Sequence, residues 1–204
     1  AASDVYKRQD LSASTPRLRR EQVAGMNIHY IMWSLDYFLD AQQRLGFKTI
    51  ELWAAEPHVT LDHTGYFEAD ELRRKIESRG LSVSSLCPEN VVYPWQYAAR
   101  KPLHAQRSLA YFKHGIELAE VLGAPYMSIN SGWGDWDEDR EEAWKRSAEH
   151  LAILADYAGE HGVTLCMESL RPEESNLVVT LADARRMLDQ VASPHLTPMV
   201  DTLS

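Results

Sequence analysis

Two rhythms of apolar and polar residues alternate along this chain. Short apolar runs at residues 47–53, 81–86, 124–130, 163–168 and 196–201 are too short for helices and rich in strand formers. Between them, apolar residues recur at helical spacing. Leu109, Phe112, Ile116 and Ala119 share one face, as do Trp144, Leu151, Leu154, Ala155 and Ala158, and then Leu181, Ala184, Leu188 and Val191. Gly46, Gly80, Gly123 and Gly162 each separate a helical segment from the run that follows, where a left-handed residue ends a helix cheaply. Thr180 and Asp183 have the spacing of a capping box. The acidic run at 135–142, broken only by Trp136 and Arg140, suits the positive end of a helix dipole. A first strand is expected at 26–32.

Strand and helix in repeated alternation predict an α/β fold with a parallel sheet. Two architectures meet that description, a doubly wound open sheet and a closed (β/α)8 TIM barrel. No G-x-G-x-x-G follows any run, which weakens the dinucleotide-binding form of the first. The barrel is therefore expected. A barrel of this type takes about 250 residues, and only about six βα units are visible, so strands 7 and 8 are expected to be missing. Residues 1–20 are set apart as a disordered or non-native N-terminal segment, leaving 21–204 as a partial TIM-barrel domain.

Barrel chemistry sits at the carboxyl ends of the strands. Reading those ends in order gives His29 and Tyr30, then Trp53 with Glu56 and His58, Glu89 with Asn90, Asn130 with Trp133, Glu168 with Glu174, and Asp201. Glu168 and Asp201 close two consecutive strands, which suggests a shared cation or a shared proton-transfer task. Acids, amides, imidazoles and indoles together suit a polyhydroxylated small molecule and a divalent ion. Each has a plainer reading. Glu174 can be a solvated loop acid, His58 a loop hydrogen-bonder, Trp53 and Trp133 rim packing, and Glu89 a turn cap beside Asn90. His104, His114, His150 and His161 fall on helices and are expected at the surface.

Charge and cysteine usage narrow the classes further. A net charge of −9 argues against a nucleic-acid surface. No apolar run approaches the ~18 residues of a membrane span, and no signal-peptide core opens the chain. Cys87 and Cys166 read as small buried thiols in a reducing compartment, and the cytoplasm is the expected location.

At these residues the chain resembles the xylose isomerase-like TIM barrels of the sugar isomerase/epimerase family. Within that family the likeness is to fructoselysine 3-epimerase and to the ketose 3-epimerases related to D-tagatose and D-psicose 3-epimerase. It is carried by Ile50-Glu51-Leu52-Trp53 leading to Pro57-His58, by Pro88-Glu89-Asn90 with Tyr93-Pro94, by the stretch from Glu168 through Arg171, Pro172 and Glu174 to Asn176, and by Met199-Val200-Asp201. The resemblance implies a divalent cation (Mn2+, Co2+ or Mg2+) held by two Glu, one Asp and one His. Glu168 would be a metal ligand and one of two acid/base carboxylates, and Asp201 a second ligand. Glu174 would bind substrate hydroxyls, alongside His58, Glu89, Asn130 and Trp53 in the substrate site. The other His and Glu would come from strands 7 and 8. The family's ketose epimerases tend to place a His three residues after the Asp, where this chain has Ser204.

The implied activity is C3 epimerisation of a ketose or ketose-amine (fructoselysine-like) through an enediolate. The expected partners are a small-molecule sugar and, in a homo-oligomer, further copies of the chain, with neither nucleic acid nor membrane. The alternatives are an aldose–ketose isomerase on the same barrel, an endonuclease IV-like DNA-repair enzyme, and a non-catalytic sugar-binding or truncated domain. The repair enzyme would need more strand-end histidines and basic loops. The 204-residue chain is expected to be inactive alone.

Overall fold

The computed structural model describes residues 18–91 and 94–202. Tyr93, Ser204 and residues 1–17 of the N-terminal segment thus lie outside the described residues. Among those described, six parallel strands form one sheet: β1 (Gly25–Met26), β2 (Thr49–Ala54), β5 (Ser82–Pro88), β6 (Tyr126–Ile129), β7 (Thr164–Glu168) and β8 (Leu196–Met199). A two-stranded antiparallel hairpin, β3 (Leu61–Asp62) and β4 (Gly65–Tyr66), follows β2. The helices are α1 (Leu35–Leu45), α2 (Ala69–Glu77), α3 (Pro102–Leu122), α4 (Arg140–Glu160) and α5 (Leu181–Val191).

The order β1-β2-β5-β6-β7-β8 runs in sequence order without reversal. Right-handed crossovers between such strands put every helix on the same face of the sheet, whereas a doubly wound sheet reverses order and covers both. Side-chain alternation agrees. Ile50, Leu52, Val83, Leu86, Met127, Ile129, Leu165 and Met167 point to the helices, each at most 4% exposed. On the other face the register aligns Trp53 with Cys87 and Ser128 with Cys166, with Glu51 and Glu168 on the same side. One face is an apolar seat for helices; the other, more polar, is the face a barrel turns inward, although the six described strands do not close on themselves.

Local chemistry places the boundaries. Gly46, Gly80, Gly123 and Gly162 all take positive φ, at 76°, 67°, 67° and 69°. Asp139 caps α4 by accepting from Glu141 N at 2.9 Å, so the acidic run straddles the helix start. The Thr180–Asp183 capping box opens α5. Leu109, read as part of the buried face of α3, is only partly buried, and Leu181 of α5 is exposed. His114, His150 and His161 are half-buried, not surface residues, while His104 is exposed. Both cysteines are free. Among the described residues no helix is long and apolar enough to cross a membrane.

Two expectations about strands change. The first strand stops at Met26, and Asn27–Tyr30 forms a 3-10 turn, leaving His29 exposed away from a strand end. The cause is Asn27, which is fully buried. Its Oδ1 accepts from Trp53 N at 2.7 Å and its Nδ2 donates to Trp53 O at 3.0 Å. The amide takes the place of the next ladder residue, so the backbone is free to turn. The last strand stops at Met199, two residues short of Asp201. It carries Pro198, and Leu165 N donates to His195 O at 2.9 Å on the β7 side.

Candidate active site

Glu168 is the last residue of β7 and projects with Cys166 onto the inner wall. It is half-buried. Burial pushes its carboxyl up to about 7, and the negative charges of Asp201, Glu174 and Glu51 add to the effect. The two carboxylates expected to share a mouth are thus close enough to feel each other's charge. Glu51 on β2 joins them from the sheet interior, its own carboxyl raised by burial. Its place was readable from the alternation Ile50, Glu51, Leu52, in which it points opposite to two core residues.

Arg171 grips Glu174, donating from Nη2 as well as from Nε at 3.2 Å and from the backbone at 3.3 Å. That pairing holds the Glu174 carboxyl below its ordinary range. It fixes one carboxylate oxygen set at the lip while leaving Glu168 repelled by its neighbours. A divalent cation bound at Glu168 and Asp201 would offset that repulsion, so these donors fit one. Among the described residues no group of three or more His, Cys, Asp or Glu is arranged to hold a metal. The thiols fit poorly, since burial pushes Cys87 up to about 12 and Cys166 to about 11. Oxygen donors therefore suit hard divalent ions.

The remaining expected residues are tied into the rim. Trp53 Nε1 donates to Glu89 Oε2 at 2.9 Å, and Glu89 Oε1 accepts from Val91 N at 3.1 Å. Asn130, 2% exposed, donates to Asn90 O at 2.9 Å and accepts from Gly132 N at 2.7 Å. His58 has both ring nitrogens engaged. Asn27 Nδ2 lies 3.0 Å from Nδ1, and Trp33 O lies 2.8 Å from Nε2. Because the Asn amide nitrogen can only donate, Nδ1 accepts and Nε2 carries the proton. Here His58 buttresses the β1 turn. Glu56 lies apart, accepting from Thr60 Oγ1 at 2.7 Å.

Sequence reading missed two features of this rim. One is the β3–β4 hairpin, whose signal is Asp62 accepting from Thr64 N at 2.6 Å before Gly65. The other is a cavity of about 440 Å³ between the loops after β6 and β7, lined by Trp133, Trp136, Pro172 and Glu174 among others.

The raised Glu168 carboxyl has a measurable consequence in metal-free buffer. Its folded pKa lies above its unfolded one, so the folded chain holds more protons between about pH 4.5 and 7. Stability therefore falls as pH rises through that window and stays lower above it. Solvent screens a half-buried group, leaving about 1–2 kcal/mol. Urea denaturation should find Glu168→Gln more stable than the parent by that amount at pH 8 and equal to it at pH 4. Equal stability at both pH values would contradict the repulsion.

A family model described as a xylose isomerase-like TIM barrel matches residues 39–203. Fructoselysine 3-epimerase of Shigella flexneri is 29% identical over 164 residues, covering 80% of this chain and 59% of that protein. D-psicose 3-epimerase of Enterocloster bolteae is 24% identical over 208 residues, covering 91% of this chain and 65% of that one. A solved L-ribulose 3-epimerase superposes with a TM-score of 0.71 at 23% identity, covering 86% and 59% of the two chains. At that identity the superposition shows the fold alone. The chain spans about 59% of the length of the first of these relatives.

Proposed function

We propose that this chain, which belongs to the xylose isomerase-like TIM barrel family, supplies the Glu168–Asp201 half of a metal-dependent sugar 3-epimerase site. The substrate class is a ketose or ketose-amine. The observation that carries the reading is the charge crowding at Glu168, where a half-buried carboxylate at a strand end is flanked by Asp201 and Glu174. A carboxylate perturbed in this way at a strand end is a candidate reaction site. The relatives, named as 3-epimerases, support the reaction type.

Epimerisation beside a carbonyl removes a weakly acidic proton and returns one to the opposite face. Glu168 would carry that proton on one face; burial and its acidic neighbours raise its carboxyl in the metal-free chain, and a bound cation would draw it back down, so the two effects together would set its working basicity. A second carboxylate, from the part of the barrel completed by two further strands, would serve the other face. Glu168 and Asp201 would hold the divalent cation, which supplies electrostatic stabilisation of the charge developing on the substrate oxygens. Glu174, fixed by Arg171, would accept from substrate hydroxyls.

The test is deuterium incorporation from D2O into a panel of ketoses, followed by NMR, with a catalytically active chain that contains this sequence. Label at C3 with an epimeric product supports the reading. Label only at C1 or C2 transfers it to an aldose–ketose isomerase. The 204-residue chain by itself should bind Mn2+ weakly and turn over no ketose, because it offers two of four expected donors. Calorimetric titration showing tight Mn2+ binding, together with turnover, would contradict that.

A further inference from the structure

The loop that presents Glu174 is anchored by a side chain the proposed reaction does not use. Gly134 N donates to Asn176 Oδ1 at 2.8 Å, and Asn176 Nδ2 donates to Gly134 O at 2.9 Å. One amide thus satisfies both backbone groups of a residue on the neighbouring loop, as a paired strand residue would. Neither side can slip. A Cβ on Gly134 would lie 2.5 Å from Ala143 Cβ, so α4 presses directly behind it. Arg140 on α4 donates to Asn176 O at 2.7 Å and to Leu177 O at 2.6 Å, holding the backbone on the other side of the pair.

Glu174 stands two residues upstream on a turn closed by Glu174 N to Arg171 O at 2.9 Å and Ser175 N to Arg171 O at 3.1 Å. The loop base is closed by Leu170 N donating to Val178 O at 3.1 Å. Between base and turn, the grip on the loop after β6 comes from Ser175, which donates to Gly132 O at 2.7 Å, and from Asn176. Ser175 is buried and serves the core side. Asn176 and Gly134 themselves line the 440 Å³ cavity beside Glu174.

We propose that Asn176 is a positioning residue for substrate binding: its two-bond pairing with Gly134 sets where the Glu174 carboxylate meets the sugar hydroxyls and keeps the cavity walls apart at a fixed width. This rests on the reading of Glu174 as a substrate contact. A Glu174 contact to hydroxyls away from the reacting carbon would be uniform binding, so loss of the clamp is expected to act on KM and leave kcat in place.

The experiment is a double-mutant cycle of Asn176→Ala and Glu174→Gln in a catalytically active chain that contains this sequence, with amide hydrogen exchange on the same proteins. Asn176→Ala is expected to raise KM about tenfold and change kcat by less than about threefold. In the Glu174→Gln background the same change should add less than about twofold. Asn176→Asp keeps the acceptor for Gly134 N but sets a carboxylate oxygen against Gly134 O, so its KM should rise at least as far as in Asn176→Ala. The Gly134 amide should exchange about tenfold faster or more in Asn176→Ala. An undiminished KM effect without Glu174 overturns the proposal, as does unchanged exchange at Gly134. A parent whose activity is not C3 epimerisation of a ketose overturns the epimerase reading and the role of Glu174 with it, and the exchange data then show separately whether the clamp exists.

Discussion

Glu168→Gln, in a catalytically active chain that contains this sequence, is expected to cut C3 proton exchange by about 10³-fold. The substitution keeps the volume and one carbonyl acceptor, so the end of β7 has no reason to move. It removes the proton carrier, and general acid–base groups contribute roughly 10²–10⁴. It also removes an anionic ligand from the cation, so Mn2+ affinity should fall in the same variant. Raising the Mn2+ concentration should restore occupancy without restoring exchange, which separates the two losses. Exchange measured by NMR at saturating Mn2+ and undiminished from the parent would remove Glu168 from the mechanism.

Asn27→Ala is expected to destabilise the fold by about 2–4 kcal/mol. The side chain is fully buried, and it is the partner of Trp53 N, Trp53 O and His58 Nδ1. Each buried group left unpaired costs about 1–3 kcal/mol, partly recovered where water or relaxation reaches it. Asn27→Asp should do no better, because it sets a carboxylate oxygen against the Trp53 carbonyl. Gln43→Ala makes the contrast: its bond to Arg79 O at 3.1 Å is exposed, and its loss should cost under about 1 kcal/mol. Urea denaturation of the three variants checks the ranking, and an Asn27→Ala cost near that of Gln43→Ala would show that the amide does not carry the β1 turn.

These two residues mark where the sequence was legible. Glu168 stood out because a strand-length apolar run ended in an acid and the next run did the same. The helix ends were equally open, since Gly46, Gly123 and Gly162 and the Thr180–Asp183 pair act within a few residues of chain. Asn27 was invisible to the same reading. Its effect is to replace a ladder partner 26 residues away, and an isolated Asn after an apolar pair carries no periodic signal. Hydrophobicity alone therefore extends the expected strand to residue 32. Asn176 lay inside the stretch singled out, yet its pairing with Gly134 is likewise a contact between distant segments. Asn130, read as a sugar contact, spends its amide on Asn90 and Gly132. Three asparagines at the carboxyl end of the barrel thus do with side chains what the strands do with backbone.

Pro198 has a bearing on self-association. His195 O faces β7, so alternation in a parallel ladder turns the backbone of residue 198 to the opposite, outer flank of β8. Proline brings no N–H there. A foreign strand settling along that flank would meet a missing donor in the middle of a four-residue stretch, which penalises the stacking that seeds fibrils. The same gap would confine a legitimate neighbour to registers that place no acceptor opposite it.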